Sequence, residues 1–476
     1  MQFPRFLKPR NGMSRQVVKA LGIFGGVQVV TILCGVIRTK LVAIWIGAVG
    51  VGLFGLFGAA MDMIFQLTQL SLRQSAVRDL ASASAGRVAI ISYVVRRWSL
   101  WLGVVGALLT FLLAPLLSEW SFGNYEYASG FRLLSLAVLF QSLLSGEQAV
   151  MQGTNRLRLL AKSSLWGAVG GLAVSVPLYR FAGVTGVVPS ILAYAVITAV
   201  AAWVMRVRFP EKVRLGLKQT FTDGREFMTL GLYMTAGAAI GAVLNYVFMS
   251  YITNTASADV LGYYQAGYTL VNRYVGLIFT AMVMEYYPRL SRTIASRLRT
   301  RVVLSHEISL IMWCLLPLTG VFIGCERWIV RLLYSGEFEV ATSFMSLAMV
   351  GTAFRAVSWS MTYVMLAKGD GRWFLLTEII SGFIGLAMNI VGFDLGGMMG
   401  LGVAYLLTFV VDTLMIGAVC RWRYAIFPAR KVLALTSCVV LFGCACVLCD
   451  YAGWWYISAV SGILSIWPAY RTVFRR

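Results

Sequence analysis

Charged side chains inside long apolar stretches are the residues best placed to do chemistry in this sequence. They are Arg38, Lys40, Asp62, Glu147, Arg273, Arg355 and Asp412. An ionisable group inside a membrane is costly unless it faces a cavity or a partner. Each of these positions is therefore a candidate for a functional site, a buried ion pair or a side chain that reaches the membrane surface.

The two deepest bases in the second half of the chain, Arg273 and Arg355, point to an anionic ligand. A guanidinium pairs bidentately with phosphate oxygens, which makes arginine suited to a phosphorylated head group. The alternative is a structural ion pair, for which Glu147, Asp62 or Asp412 would supply the carboxylate. Both interpretations stay open from the sequence.

Arg38 and Lys40 also allow two interpretations. They lie in the outer half of the first apolar stretch. Either they contact the same ligand, or their long side chains extend to the membrane surface and place only the charge in water.

Polar residues at helical spacing accompany these charges. Asp62, Gln66 and Gln69 recur at i, i+4 and i+7 and so share one helix face, and Asn272 directly precedes Arg273. A single polar stripe can hold two helices together, but several stripes in both halves predict a water-filled central cavity. We predict that the substrate contacts Arg38, Lys40, Gln66, Gln69, Asn272, Arg273 and Arg355. Asp62 and Asp412 are the candidates for coupling to a cation.

The composition defines the elements that must position these residues. Of 476 residues, 59% are hydrophobic and 13% are charged, which is too little charge for a soluble surface. The apolar residues fall in runs of roughly 18–25, the length that spans a bilayer. The sequence predicts an all-α polytopic membrane protein with about fourteen transmembrane helices.

The net charge of +22, from 41 Lys and Arg against 19 Asp and Glu, sets the orientation. The basic residues concentrate in every second loop, which is the positive-inside pattern and places both termini in the cytoplasm. The same pattern argues against a nucleic-acid partner. Eight cysteines, mostly in apolar runs, and one histidine predict no disulfide framework, metal or cofactor.

The chain repeats itself at an offset of about 214 residues. Met151–Tyr194 aligns with Met365–Thr408, so that Gly183 and Gly186 match Gly397 and Gly400. Because each unit holds an even number of spans, the sequence predicts two parallel six-helix lobes around the cavity. The predicted parts are a basic cytoplasmic N-terminus at 1–19, an N-lobe at 20–207, a basic linker at 208–226, a C-lobe at 227–420 and an extra helix pair at 432–470.

Several stretches carry a resemblance to a known family. Arg38–Leu41, followed by Ile46–Phe54, resembles the start of polysaccharide exporters of the multidrug/oligosaccharidyl-lipid/polysaccharide (MOP) superfamily. Val260–Gln265 and Tyr287–Arg292 are similar to the Wzx-type O-antigen translocases. In the family pattern a base follows the first apolar run, and Lys40 occupies that place.

The resemblance implies a flippase of the bacterial inner membrane. Its substrate would be an undecaprenyl-pyrophosphate-linked oligosaccharide, passed from the cytoplasmic to the periplasmic leaflet by alternating access through a cationic cavity. A polysaccharide polymerase and glycosyltransferases would be its partners, besides membrane lipids. In a related branch an extra helix pair holds the polyprenyl tail.

The residues leave three other functions open besides the oligosaccharide flippase. A multidrug exporter would need acidic residues deep in the cavity, and Asp62 is the one candidate. A lipid II flippase would share the fold and the anionic substrate. A membrane polymerase or ligase would need catalytic groups on a sizeable outer loop, and the outer loops here are short, so we predict a transporter and not an enzyme.

Overall fold

The computed structural model describes residues 13–69, 72–209 and 216–474, and the regular structure in these ranges is helical throughout. Without water, backbone N–H and C=O groups must be satisfied within their own segment, which favours helices in long apolar runs. Nine helical stretches of the described residues are long and apolar enough to cross a membrane. Two of these stretches are long enough for two membrane crossings each, namely Leu157–Val204 with 48 residues and Gly371–Tyr424 with 54. The all-α polytopic prediction is confirmed.

The chain forms two compact units. The first unit comprises residues 1–46 and 57–235, of which the described part begins at Met13, and the second comprises residues 47–56 and 236–476. The helices of the first unit are α1 (Met13–Trp45), the later part of α2 (Gly47–Gln69), α3 (Leu72–Ser82), α4 (Ala85–Phe122), α5 (Ala128–Gly153), α6 (Leu157–Ala182), α7 (Val187–Val204) and the start of α8 (Leu217–Thr255).

The second unit holds the remaining helices. They are α9 (Ala258–Tyr268), a π-helical segment (Thr269–Val275), α10 (Gly276–Thr293), α11 (Arg297–Leu333), α12 (Thr342–Ala367), α13 (Gly371–Tyr424), α14 (Arg430–Tyr451) and α15 (Trp455–Phe474). The predicted linker at 208–226 differs in the structure, because α8 already begins at Leu217. Positions 210–215 of that linker, and most of the predicted N-terminal segment at 1–19, lie outside the described residues.

The predicted repeat is visible in the backbone. Gly183, between α6 and α7, has φ 54° and ψ −130°, and Gly397, 214 positions later, has φ 55° and ψ −132° inside α13. Glycine adopts this positive-φ conformation because it has no Cβ. Gly397 therefore breaks α13 into two helices at the place where Gly183 separates α6 from α7.

Side-chain contacts repeat at the same offset. The Ser163 hydroxyl lies 3.7 Å from the sulfur of Met151, and the Thr377 hydroxyl lies 3.8 Å from the sulfur of Met365. The two hairpins thus share both their backbone turn and their internal packing. The predicted repeat of this hairpin is therefore present in both units.

The last two helices belong to the second unit. Small residues of α11 let α15 approach backbone to backbone, since a Cβ on Gly320 would lie 2.6 Å from Cα of Gly462. Close approach of this kind is typical of membrane helices, where van der Waals packing drives association. The extra helix pair is therefore an integral part of this unit.

Candidate functional site

Arg355 in α12 is held by neutral polar groups. Its Nη1 donates to Oδ1 of Asn272 and lies 3.2 Å from the hydroxyl of Tyr405. The Tyr405 hydroxyl itself donates to Oδ1 of Asn272 at 3.0 Å. These three residues come from the π-helical segment, α12 and α13, so their helices jointly fix the guanidinium.

Aromatic rings flank the same guanidinium. Its Cζ lies 5.5 Å from the ring centroid of Phe279 and 5.7 Å from that of Phe409. Cation–π attraction stabilises a guanidinium at such distances without neutralising its charge. The positive charge of Arg355 thus stays available to a ligand.

The electrostatics of this cluster are those of an anion site. In the described ranges, no carboxylate oxygen lies within 4.0 Å of the Arg355 guanidinium. Nδ2 of Asn272 is buried and, among the same residues, has no hydrogen-bond partner. A half-buried cation without a counter-ion and a buried donor without an acceptor are both costly. One bound anion would relieve both costs.

The backbone around Asn272 departs from the α-helix. Residues Thr269–Val275 form π-helical turns between α9 and α10, and single π turns inside α-helices occur frequently at functional sites. The wider turn rotates Asn272 relative to the α-helix before it. Arg273 lies in the same segment, but its side chain lies outside the described residues.

Asp412, the predicted coupling residue of this unit, is buried in α13. Ser381, on the preceding helical half of α13, donates its hydroxyl to Oδ1 of Asp412. Glu378 lies one turn before Ser381 and so shares its helix face. The structure thus brings two acidic residues to one region of the second unit.

In the first unit, Arg38 packs on an aromatic ring. Its Cζ lies 4.5 Å from the ring centroid of Tyr194 in α7, and both Arg38 and Lys40 are half-buried in α1. A half-buried guanidinium fixed on a ring differs from a side chain that extends freely to the surface. This favours a defined role for Arg38.

The polar stripe of α2 divides into two parts. Asp62 is exposed and Gln66 is half-buried, whereas Gln69 is buried and its Nε2 donates to the hydroxyl of Ser142. Ser142 in turn donates to the carbonyl of Ser99. This chain of bonds joins α2, α5 and α4. It favours helix packing over the substrate contact that we predicted for Gln69.

Glu147 is already neutralised in the first unit. Its Oε1 lies 2.8 Å from Nε of Arg96, and its Oε2 accepts from Nη2 of Arg96 at 2.9 Å. The sequence suggested that Glu147 would balance one of the deep arginines, and that suggestion is wrong. Arg96 is close to this carboxylate because α4 begins at Ala85 and carries Arg96 into the bundle.

Sequence reasoning missed the residues that surround Arg355. Tyr405 and Phe409 are four positions apart and so share a face of α13, but neither is charged, and Phe279 is distant from both in sequence. Aromatic residues at helical spacing are usually packing residues. Only the three-dimensional arrangement shows that these three enclose a cation.

The sequence matches a family described as "Polysaccharide biosynthesis protein" over residues 92–343. A curated relative, the lipid III flippase of Escherichia coli (strain K12), is 21% identical over 402 residues, covering 82% of this chain and 94% of the relative. The lipid III flippase of Shigella flexneri matches to the same extent.

Solved structures share the fold. A lipid II flippase MurJ in an inward closed conformation superposes with a TM-score of 0.70 at 12% identity, covering 95% of this chain and 98% of that one. An inward-facing multidrug resistance MATE family transporter of the MOP superfamily superposes with a TM-score of 0.64 at 13% identity, covering 86% and 96%. The fold that the resemblance to the MOP superfamily implied is confirmed. The similar proteins are named as flippases and transporters, in agreement with a transporter and not an enzyme.

Proposed function

Because the chain belongs to the polysaccharide biosynthesis protein family, we propose that it is a flippase for an undecaprenyl-pyrophosphate-linked oligosaccharide. In this proposal it moves the substrate from the cytoplasmic to the periplasmic leaflet of a bacterial inner membrane by alternating access. The observation that carries the proposal is Arg355, a half-buried guanidinium whose partners among the described residues are neutral. The names of the lipid III flippases support the substrate class.

The chemistry of a pyrophosphate fits this site. Its oxygens accept the hydrogen bonds that Arg355 and Nδ2 of Asn272 have available. Hydrogen bonds between ionised partners are shorter and stronger than neutral ones. Phe279 and Phe409 keep the surroundings of the guanidinium apolar, which strengthens its attraction to a bound anion.

The remaining predicted contacts stay part of the proposal. Arg38, Lys40 and Gln66 are its contacts in the first unit, and Arg273 is a further contact whose side chain lies outside the described residues. The concentration of basic residues in alternate loops supports an orientation with both termini in the cytoplasm. Polysaccharide polymerases and glycosyltransferases remain proposed partners.

An inside-negative membrane potential would drive the anion outward. The gain is about 2.3 kcal/mol per charge for each 100 mV. If a cation moves in the opposite direction, Asp412 or Asp62 would bind it. For Asp412, burial and the bond from Ser381 support such a role.

The decisive experiment measures leaflet transfer of a fluorescent undecaprenyl-pyrophosphate oligosaccharide in proteoliposomes. We expect the wild type to transfer it, and Arg355→Ala to transfer it about 10- to 100-fold more slowly, the range of a lost hydrogen bond to a charged group. Arg273→Ala should also be slower. Arg355→Lys, which keeps the charge but not the planar fork, should fall between.

Arg331→Ala is the matched control, since this exposed arginine pairs with Glu339 away from the cluster. It should transfer at the wild-type rate. If folded wild type does not transfer the substrate, the substrate assignment fails. If Arg355→Ala transfers the substrate at the wild-type rate, the proposed anion site at Arg355 is wrong. The flippase assignment is then kept without that site.

Export of an organic cation is the second candidate. The exposed carboxylate of Asp62 favours it, and MATE transporters share the fold. The test is uptake of a fluorescent cationic dye into inside-out vesicles. Uptake by the wild type that is lost in Asp62→Asn would favour cation export over the oligosaccharide flippase.

A further inference from the structure

A groove in the first unit has the Arg96–Glu147 ion pair in its wall. It has a volume of about 410 Å³ and lies where α4, α5 and α7 meet. Its walls are mainly apolar, with Leu100 from α4, Phe140 and Leu143 from α5, and Val200 and Trp203 from α7. The volume is in the range of ligand-binding pockets, about 300–1,000 Å³.

The groove opens on a surface that suits lipid tails. Leu100, Val104, Leu108 and Leu112 recur every four residues along one face of α4, and all four are exposed. On the far wall, Val200 and Trp203 of α7 are exposed as well. In helices long and apolar enough to cross a membrane, such a stripe contacts acyl chains.

Arg96 closes one end of the groove and is held rigidly there. Its side chain is only 25% exposed, and it pairs with Glu147 through Nε and Nη2. Nη2 also donates to the carbonyl of Val207 at 2.9 Å. Nη1 takes part in none of these contacts, so it can donate to a further acceptor.

Arg206 adds a second guanidinium at the same end. It lines the groove, is exposed, and its Cζ lies 5.2 Å from the ring centroid of Trp203. Across the described ranges, no carboxylate lies within ion-pair distance of Arg206. Arg96 and Glu147 compensate each other, and Arg206 leaves one net positive charge. Tryptophan beside basic residues is typical of the head-group level of a membrane.

We propose that this groove binds an anionic glycerophospholipid. Its phosphate accepts hydrogen bonds from Arg206 and from Nη1 of Arg96, and one acyl chain lies along Leu100 and Val200. An arginine that contributes only to the positive-inside pattern needs no partner, and its side chain extends freely into water. Here one guanidinium is fixed by a carboxylate and the other by an indole, at the end of an apolar groove. The site does not depend on the transported substrate.

The test uses the purified full chain in detergent micelles with a photoactivatable phosphatidylglycerol, followed by mass spectrometry of the labelled peptides. We expect labelling on α4 and α7 that unlabelled phosphatidylglycerol competes away and phosphatidylcholine does not. Arg206→Ala should weaken competition about fivefold, the effect of one basic residue near an anionic lipid surface. Val200→Trp, which fills the groove and keeps every charge, should abolish labelling there.

Arg471→Ala is the matched control, because Arg471 also lies over a tryptophan, Trp467, at 4.7 Å. It should label as the wild type does, and thermal unfolding should show that each variant is folded. Equal competition by phosphatidylcholine would overturn the proposal, as would unchanged labelling in folded Val200→Trp. Competition by undecaprenyl phosphate alone would also overturn it and assign the groove to the transport substrate.

Discussion

The two units repeat one helical hairpin, but a half-buried arginine has different partners in each. In the first unit, Arg96 lies 2.8 Å from a carboxylate oxygen of Glu147. In the second unit, Arg355 has Asn272 and Tyr405 as partners, and no described carboxylate pairs with it. The two units share the backbone turn at Gly183 and Gly397, although their arginines have different partners.

The difference separates a structural charge from one that is ready for a ligand. Breaking a buried ion pair leaves an uncompensated charge, so a residue such as Arg96 is tied to stability. Arg355 already lacks a counter-ion in the described chain, and an external anion would supply it. The same residue type therefore serves folding in one unit and, in our proposal, transport in the other.

The largest effect that tests this contrast is on stability. Glu147→Ala should lower the free energy of unfolding by about 3 kcal/mol, the lower end for a broken buried ion pair, because it leaves the half-buried Arg96 without its carboxylate. Arg355→Met should change it by less than about 1 kcal/mol, since an apolar residue of similar volume replaces a charge that has no ionic partner. Denaturant unfolding in detergent micelles measures both. Equal losses would remove the distinction between the two arginines.

A smaller effect tests whether the two hairpins are equivalent. Gly183→Ala and Gly397→Ala should each cost about 1–3 kcal/mol, because alanine is strained at this positive φ. No atom lies within 4 Å of a Cβ built at either position, so the cost is conformational and should be equal. Gly58→Ala is the control: it lies in α2 with open space and no positive φ, and alanine there should stabilise by roughly 0.5–1 kcal/mol. Unequal costs would show that the repeats differ in rigidity.

The smallest effect concerns the polar stripe of the first unit. Ser142→Ala should cost about 1 kcal/mol, because it removes the partner of the buried Gln69 amide. Transfer of the lipid-linked substrate should stay unchanged in the same variant. If transfer were slower while stability stayed unchanged, Gln69 would be a substrate contact after all. The first unit would then contact the substrate through a polar residue, as we propose for the second unit.

Sequence reasoning succeeded where a single physical cause dominates. Long apolar runs must become helices in a membrane. The repeat could be detected in the sequence because the positive-φ turns at Gly183 and Gly397 require glycine. It failed at helix ends, as at Arg96 and Leu217, because a helix continues past its apolar run wherever charged residues can reach water or a partner. It also failed to choose the partner of Glu147, since that choice depends on which helices are neighbours.

The sequence by itself determined the all-α membrane class, the offset of the repeat and the short set of buried charges, because each follows from local composition or spacing. Only the tertiary structure decided which charge is paired. Glu147 meets Arg96 across 51 positions of the chain, and Tyr405 meets Asn272 across 133. Such contacts depend on helix packing, in which small residues and side-chain shape select the neighbours. The aromatic surroundings of Arg355 likewise depend on helix packing and could not be predicted from the sequence.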